Sequence, residues 1–161
     1  MKLKSRSHIA LLVAEIQEGY SARAWHGPNL RGSIRGLSVA EVSWRPGSKR
    51  HNIWEIVVHC AYWKYIVRRR ILGEKRGSFP LEGSNWFERP EQRTLKAWKA
   101  DLELLDAMHG IMVEAIGDLR DTDLAKIPRG SKVDNRSIIS GIAMHDVYHA
   151  GQIQLIKRLL R

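Results

Sequence analysis

The chain has 161 residues, 43% of them hydrophobic, with 27 Lys+Arg against 17 Asp+Glu and a formal net charge of +10. That length and apolar content suit one domain over residues 1–161 with one core, and only 5 prolines exclude a Pro-rich linker. A single cysteine, Cys60, excludes an internal disulfide framework and a cysteine-rich zinc site, and fits a reducing, cytoplasmic setting.

The start, Met1 to Arg6, is basic like the head of a signal peptide, but the apolar run behind it, Ile9 to Ala14, is closed at once by Glu15. No apolar stretch approaches the roughly 20 residues that a membrane span needs, so no membrane partner is expected.

The first helix opens near Ser5 or Ser7, either of which can cap it, and Ile9, Leu12, Ile16 and Tyr20 recur at helical spacing. The stretch Trp25 to Leu30, with Gly27 and Pro28, breaks it. A short helical piece over Leu30 to Arg35 and a capping box at Ser38-Val39-Ala40-Glu41 occupy a long connection that runs on through Pro46 and Gly47. The second long helix covers Asn52 to Leu72 and ends at Gly73. A loop over Glu74 to Arg89 follows, anchored by Phe79, Trp86 and Phe87. Pro90 suits the first turn of a third helix, whose stripe is Leu95, Trp98, Leu102, Leu105, His109, Met112, Ile116 and Leu119. After a loop over Asp121 to Gly130, a fourth helix runs from Asn135 to Leu160, with Ile138, Ile142, His145, His149, Gln152, Ile156 and Leu159 in line. There is no internal repeat and no alternating strand pattern. The expected fold is all-α: a four-helix bundle with a long crossover connection between helices one and two.

His145 and His149 are the sharpest feature. Four residues on a helix turn through about 40° and rise about 6 Å, so both imidazoles project from one face and can reach a common ion. Ile142, Gln152 and Ile156 lie along the same stripe, which points both imidazoles into the core. Two neutral imidazoles there are costly unless something satisfies their nitrogens, and a metal ion does so directly. The third ligand is open among the remaining histidines. His59 lies within the apolar set Ile56, Trp63 and Ile66, while His109 lies mid-stripe in helix three. His51 precedes His59 by eight positions, about two turns, so one ion does not use both. His26 sits in the break after helix one, and His8 in that helix's first turn.

At Trp54-Glu55-Ile56-Val57-Val58-His59 and His145-Asp146-Val147-Tyr148-His149-Ala150-Gly151-Gln152-Ile153 the chain resembles the DinB/YfiT-like superfamily of metal-binding four-helix bundles. Ala24-Trp25-His26-Gly27-Pro28 is similar to a stretch that follows helix one in some members. The resemblance implies His59, His145 and His149 as the metal ligands. It implies a metal-dependent enzyme of thiol S-transferase or hydrolase type, acting on a small-molecule substrate with a low-molecular-weight thiol as cosubstrate in the transferase case. It also makes a homodimer an expectation, without assigning an interface.

Three imidazoles leave a coordination position open, as catalytic sites do, and suit Zn(II) or Ni(II) first and Mn(II) or Fe(II) next. Glu55, one turn before His59, is a candidate acceptor for that imidazole, and Gln152 is a candidate to orient a ligand. Asp146 and Tyr148 point about 100° away from the ligand face, and Cys60 reads as a small apolar residue.

The basic residues cluster at Arg68-Arg69-Arg70 with Lys75 and Arg76, and again at Lys157, Arg158 and Arg161. Both groups fall at helix C-termini, where cations complement the helix dipole. The competing functional reading is a non-enzymatic protein that binds nucleic acid through this surface. The sequence carries no helix-turn-helix, RNA-binding aromatic motif or zinc-finger spacing to support it, so nucleic acid is not the expected partner.

Overall fold

The structure is a computed structural model and describes residues 7–161. Among these there are six α-helices and no strand: α1 His8–Tyr20, α2 Leu30–Ile34, α3 Val39–Ser43, α4 Ile53–Leu72, α5 Leu95–Gly117 and α6 Asn135–Leu159, with a 3-10 turn at Asp121–Asp123. No helix is long and apolar enough to cross a membrane.

The helix ends follow local chemistry. The Ser7 hydroxyl accepts from Ala10 N and caps α1, whereas Ser5 lies outside the described residues. Asn52 and Glu55 form a reciprocal capping box that opens α4. Gly73, at φ 68°, ends it in the left-handed conformation that glycine adopts without strain. Ser38 and Glu41 make the expected capping box of α3.

The third long helix, α5, does not begin at Pro90. Arg89 is held in the preceding loop, its N–H donating to Glu55 Oε1 (3.3 Å) and its carbonyl accepting from Asn52 Nδ2 (2.8 Å). The cap falls instead to Thr94, whose hydroxyl accepts from Ala97 N. Leu95 therefore sits in the first turn, exposed, and takes no part in the core.

The four long helices close a ring in which α1 and α4 each pack against both α5 and α6. The short α2 lies on α6, and α3 on α4. The closest approach is at Gly19, where a Cβ would stand 2.9 Å from Ala143 O, so glycine lets α1 and α6 meet.

Two apolar clusters fill the interior. One gathers Trp54, Val57, Leu105 and Ile153, the other Ile16, Met112, Ile116 and Ile139. Between them runs a polar layer to which α4, α5 and α6 each contribute one residue. Lys64 lies between Ala61 and Val67 on α4, His109 between Leu105 and Met112 on α5, and Asp146 between Ala143 and Ala150 on α6, all of them buried. Lys64 Nζ and Asp146 Oδ2 form an ion pair whose side chains are both 0% exposed.

Removing one partner of such a pair leaves the other charge buried and unmatched. Asp146→Ala is expected to lower unfolding free energy by about 3–5 kcal/mol, and Lys64→Met/Asp146→Leu to regain most of that loss. Urea midpoints of the three proteins check this. A loss below about 1 kcal/mol in the single variant would mean that the pair does not hold α4 to α6.

Candidate metal centre

His59 is presented by the second turn of α4, and His145 and His149 by successive turns of α6. His59 and His149 are buried and His145 is half-buried. His145 Nε2 lies 3.2 Å from His59 Nε2 and 3.1 Å from His149 Nε2. One ligand atom from each of the three lies within 4.8 Å of the others.

The outer nitrogens fix how these rings are protonated. His59 Nδ1 faces the Asn85 carbonyl at 2.7 Å, and a carbonyl only accepts, so Nδ1 carries the proton. His149 Nδ1 faces Gln152 Oε1 at 2.7 Å, an oxygen that only accepts, while Gln152 Nε2 donates to the Tyr148 hydroxyl at 3.0 Å. His59 and His149 therefore turn bare Nε2 lone pairs inward, onto His145. A single Nε2 proton on His145 would leave its buried Nδ1, which has no protein partner, as a bare acceptor. A proton there satisfies this arrangement poorly, whereas a cation bound by all three lone pairs satisfies the inward nitrogens and leaves only the His145 Nδ1–H without a protein acceptor.

The spacing also fits. Nitrogens about 2.05 Å from a tetrahedral ion stand about 3.3 Å apart. Burial is the main force that lowers these histidines' pKa values, His59 to about 4 and His145 to about 3, with His149 also lowered. Mutual repulsion adds to the effect for His59 and His145. All three are neutral at pH 7, the form that binds metal.

A second group, Cys60, His145 and Asp146, shares His145. Its other members are committed elsewhere. Asp146 is paired with Lys64, and burial pushes the Cys60 thiol well up, which keeps it neutral. Cys60 is fully buried and belongs to an apolar cluster, as a small hydrophobic residue does.

The other sequence candidates separate clearly. Gln152 bonds His149, one turn before it, through its Oε1. Glu55 does not accept from His59. Its buried carboxylate is held by Arg45, by His51 Nδ1 (3.0 Å) and by the N–H groups of Asn52 and Arg89. Burial alone would raise its pKa, but the bonds from Arg45 and His51 outweigh this and hold it low. His26 and His8 are exposed and away from the cluster. His109 is buried in the polar layer, stacked on Tyr20 at 3.5 Å between ring centroids, with Nε2 facing Gln17 Oε1 at 3.2 Å. Tyr148 is exposed, yet it touches the site through Gln152.

Two loop residues that sequence reasoning did not place in the site complete it. Asn85, at φ 63°, adopts the left-handed conformation that asparagine tolerates better than most residues. It aims its carbonyl at His59, and its side chain accepts from Trp63 Nε1 at 2.9 Å. Trp86 then lies sandwiched between two imidazoles, 3.8 Å from His59 and 3.6 Å from His51, nearly parallel to both. His51 in turn bonds Glu55, so the carboxylate supports the site at one remove. Trp86 was recognisable as a loop anchor, but its contact with a metal-site histidine was not, because nothing in local sequence spacing links residues 86 and 59.

The sequence profile of the DinB superfamily matches residues 23–153. The chain belongs to that superfamily, in agreement with the resemblance carried by residues 54–59 and 145–153. Neither the curated proteins nor the solved structures contain a match to it.

His109 gives a pH signature separate from the three clustered histidines. Burial first, and the nearby Lys64 charge second, lower its pKa from 6.5 to about 3. Below pH 6.5 the unfolded chain takes up a proton that folded His109 refuses, so its contribution is complete above that pH and is lost as pH falls toward 3. Between pH 7 and pH 5, His109→Gln should lose less of its urea midpoint than the native chain does; equal losses would show that His109 does not contribute.

Proposed function

We propose that the chain is a metal-dependent enzyme that holds one divalent ion, zinc or nickel first, on the Nε2 atoms of His59, His145 and His149. The observation that carries this reading is the convergence of three neutral imidazoles, two buried and one half-buried, whose inward nitrogens compete for too few protons. When bound, an ion with an open position supplies Lewis acidity, lowering the pKa of a water or thiol or polarising a carbonyl. That chemistry supports thiol S-transfer to an electrophile, or hydrolysis, as the reaction class.

The protein's own part is orientation and access. Asn85 and Gln152 fix the outer protons of His59 and His149. Trp86 covers the face of His59 and limits water there. Trp86 and Gln152 also line a cleft of about 570 Å³ beside the centre, a volume suited to a small molecule. Lys49, Arg50 and His51 line it, as do Leu155 and Leu159. The cleft thus suits a substrate or thiol cosubstrate with an anionic head and an apolar body.

Protein purified without an affinity tag is expected to carry close to one equivalent of divalent metal. Adding Zn(II), Ni(II) or Mn(II) to stripped protein should raise its Tm, because the ion binds the folded state. His149→Ala should abolish both effects. No metal and no thermal shift would sink the reading, while metal without turnover in a screen of thiols and electrophiles would leave a structural role instead.

Gln152→Ala removes the acceptor that orients His149, and loss of such a partner weakens metal binding by about 10- to 100-fold. Competition with a chelating dye measures this. An unchanged affinity would show that Gln152 does not position the ligand.

A further inference from the structure

We infer that the end of α4 remote from the metal centre forms a second binding site, for a small molecule carrying two adjacent phosphoryl groups. Arg69 lies ten residues beyond His59 on α4, about 15 Å along the helix. There a pocket of about 340 Å³ is lined by Arg69, Arg70, Lys75, Arg76 and Arg129, with Glu74 as its one acid.

The cations are not there to answer a carboxylate. Glu74 is taken by Arg68 at 2.6 Å, and none of the five lining cations forms a salt bridge among the described residues. Arg69 and Arg70 each keep a buried Nε–H without an acceptor, so the protein leaves both guanidinium groups incompletely satisfied. Complementing the negative end of α4 accounts for Arg69 and Arg70. It does not account for Lys75 and Arg76, which lie beyond the helix, or for Arg129, which the connection from α5 to α6 brings to the same pocket. Bringing five like charges to one concavity is unfavourable unless an anion compensates them. Four arginines favour phosphoryl oxygens, which they bind through paired N–H bonds. The charge count calls for more than one phosphate, and the volume admits a diphosphate or a nucleoside diphosphate, too little for a folded partner.

The test is calorimetric titration of the full chain, stripped of metal, with inorganic pyrophosphate in about 150 mM salt. The expected result is saturable one-to-one binding that weakens about tenfold or more in Arg76→Gln/Arg129→Gln. Arg158→Gln, on the basic end of α6, should leave it unchanged. Circular dichroism of each variant confirms that the fold is kept. If the double variant unfolds, the single exposed change Arg76→Gln carries the comparison, with a smaller loss expected. The inference fails if pyrophosphate does not saturate, or if Arg158→Gln weakens binding equally, which would mean a diffuse positive field. It fails too if inorganic phosphate binds as tightly, or if a single-stranded oligonucleotide binds and pyrophosphate does not displace it. Because the titration uses metal-free protein, its failure leaves the metal centre untouched.

Discussion

The buried ion pair between Lys64 and Asp146 is the constraint on which the rest of the site depends. It joins α4 to α6, the two helices that carry the three histidines, and it does so within five residues of His59 and beside His145. Apolar packing alone tolerates sliding and rotation, since one aliphatic contact replaces another at little cost. A fully buried charge does not, because any register that separates it from its partner leaves it unsolvated. Burial also pushes the Asp146 carboxyl up, against the pull of Lys64, so the pair is held at some expense. What it contributes in return is a single registry in which His59 faces His145 and His149.

That registry sets three imidazoles face to face in a low-dielectric layer between two apolar clusters. The surrounding residues then answer the outer nitrogens of His59 and His149 but leave the inner ones open. Asn85 takes the outer proton of His59, and Gln152 that of His149. Trp86 closes one face by stacking, and the chain of contacts continues through His51 to Glu55 and Arg45. A loop that crosses the mouth of a bundle is otherwise free to vary. Here Asn85's left-handed backbone and the stacking of Trp86 between His51 and His59 tie it to the centre.

How much of this was legible in the sequence depended on the range of each signal. The pairing of His145 with His149 is local, set by helical pitch, and could be read directly. So could the cap at Ser38 and the stop at Gly73. His59 needed the family resemblance, because sequence spacing does not distinguish a core histidine on another helix from His109, which is just as buried and lies in the polar layer. Pro90 misled because a proline suited to a first helical turn is equally suited to a loop, and Glu55 and Asn52 hold Arg89 in the loop. Asp146 points away from the ligand face, as its helical angle dictates. The same angle aims it at Lys64, a residue 82 positions distant, and no periodicity announces such a partner. Asn85 and Trp86 were hidden for the same reason: their contacts are set by the path of a loop.

The charge balance brings these features together. A chain with a net charge of +10 is a poor host for a dication, and Lys64 stands close enough to His145 to help lower its pKa. The same positive field that opposes the ion also opposes protons on the three imidazoles, and burial opposes them further. A proton gains only one of the inward lone pairs, whereas an ion at their centre gains all three, so the competition favours the ion despite the repulsion. Asp146 offsets part of that repulsion, since one of its carboxylate oxygens lies within 4.8 Å of a His145 ring nitrogen. On this view the buried pair does more than fix registry. Lys64 pulls the Asp146 carboxyl toward its ionised form against the effect of burial, and that carboxylate in turn makes the neighbourhood of His145 more tolerable for a cation.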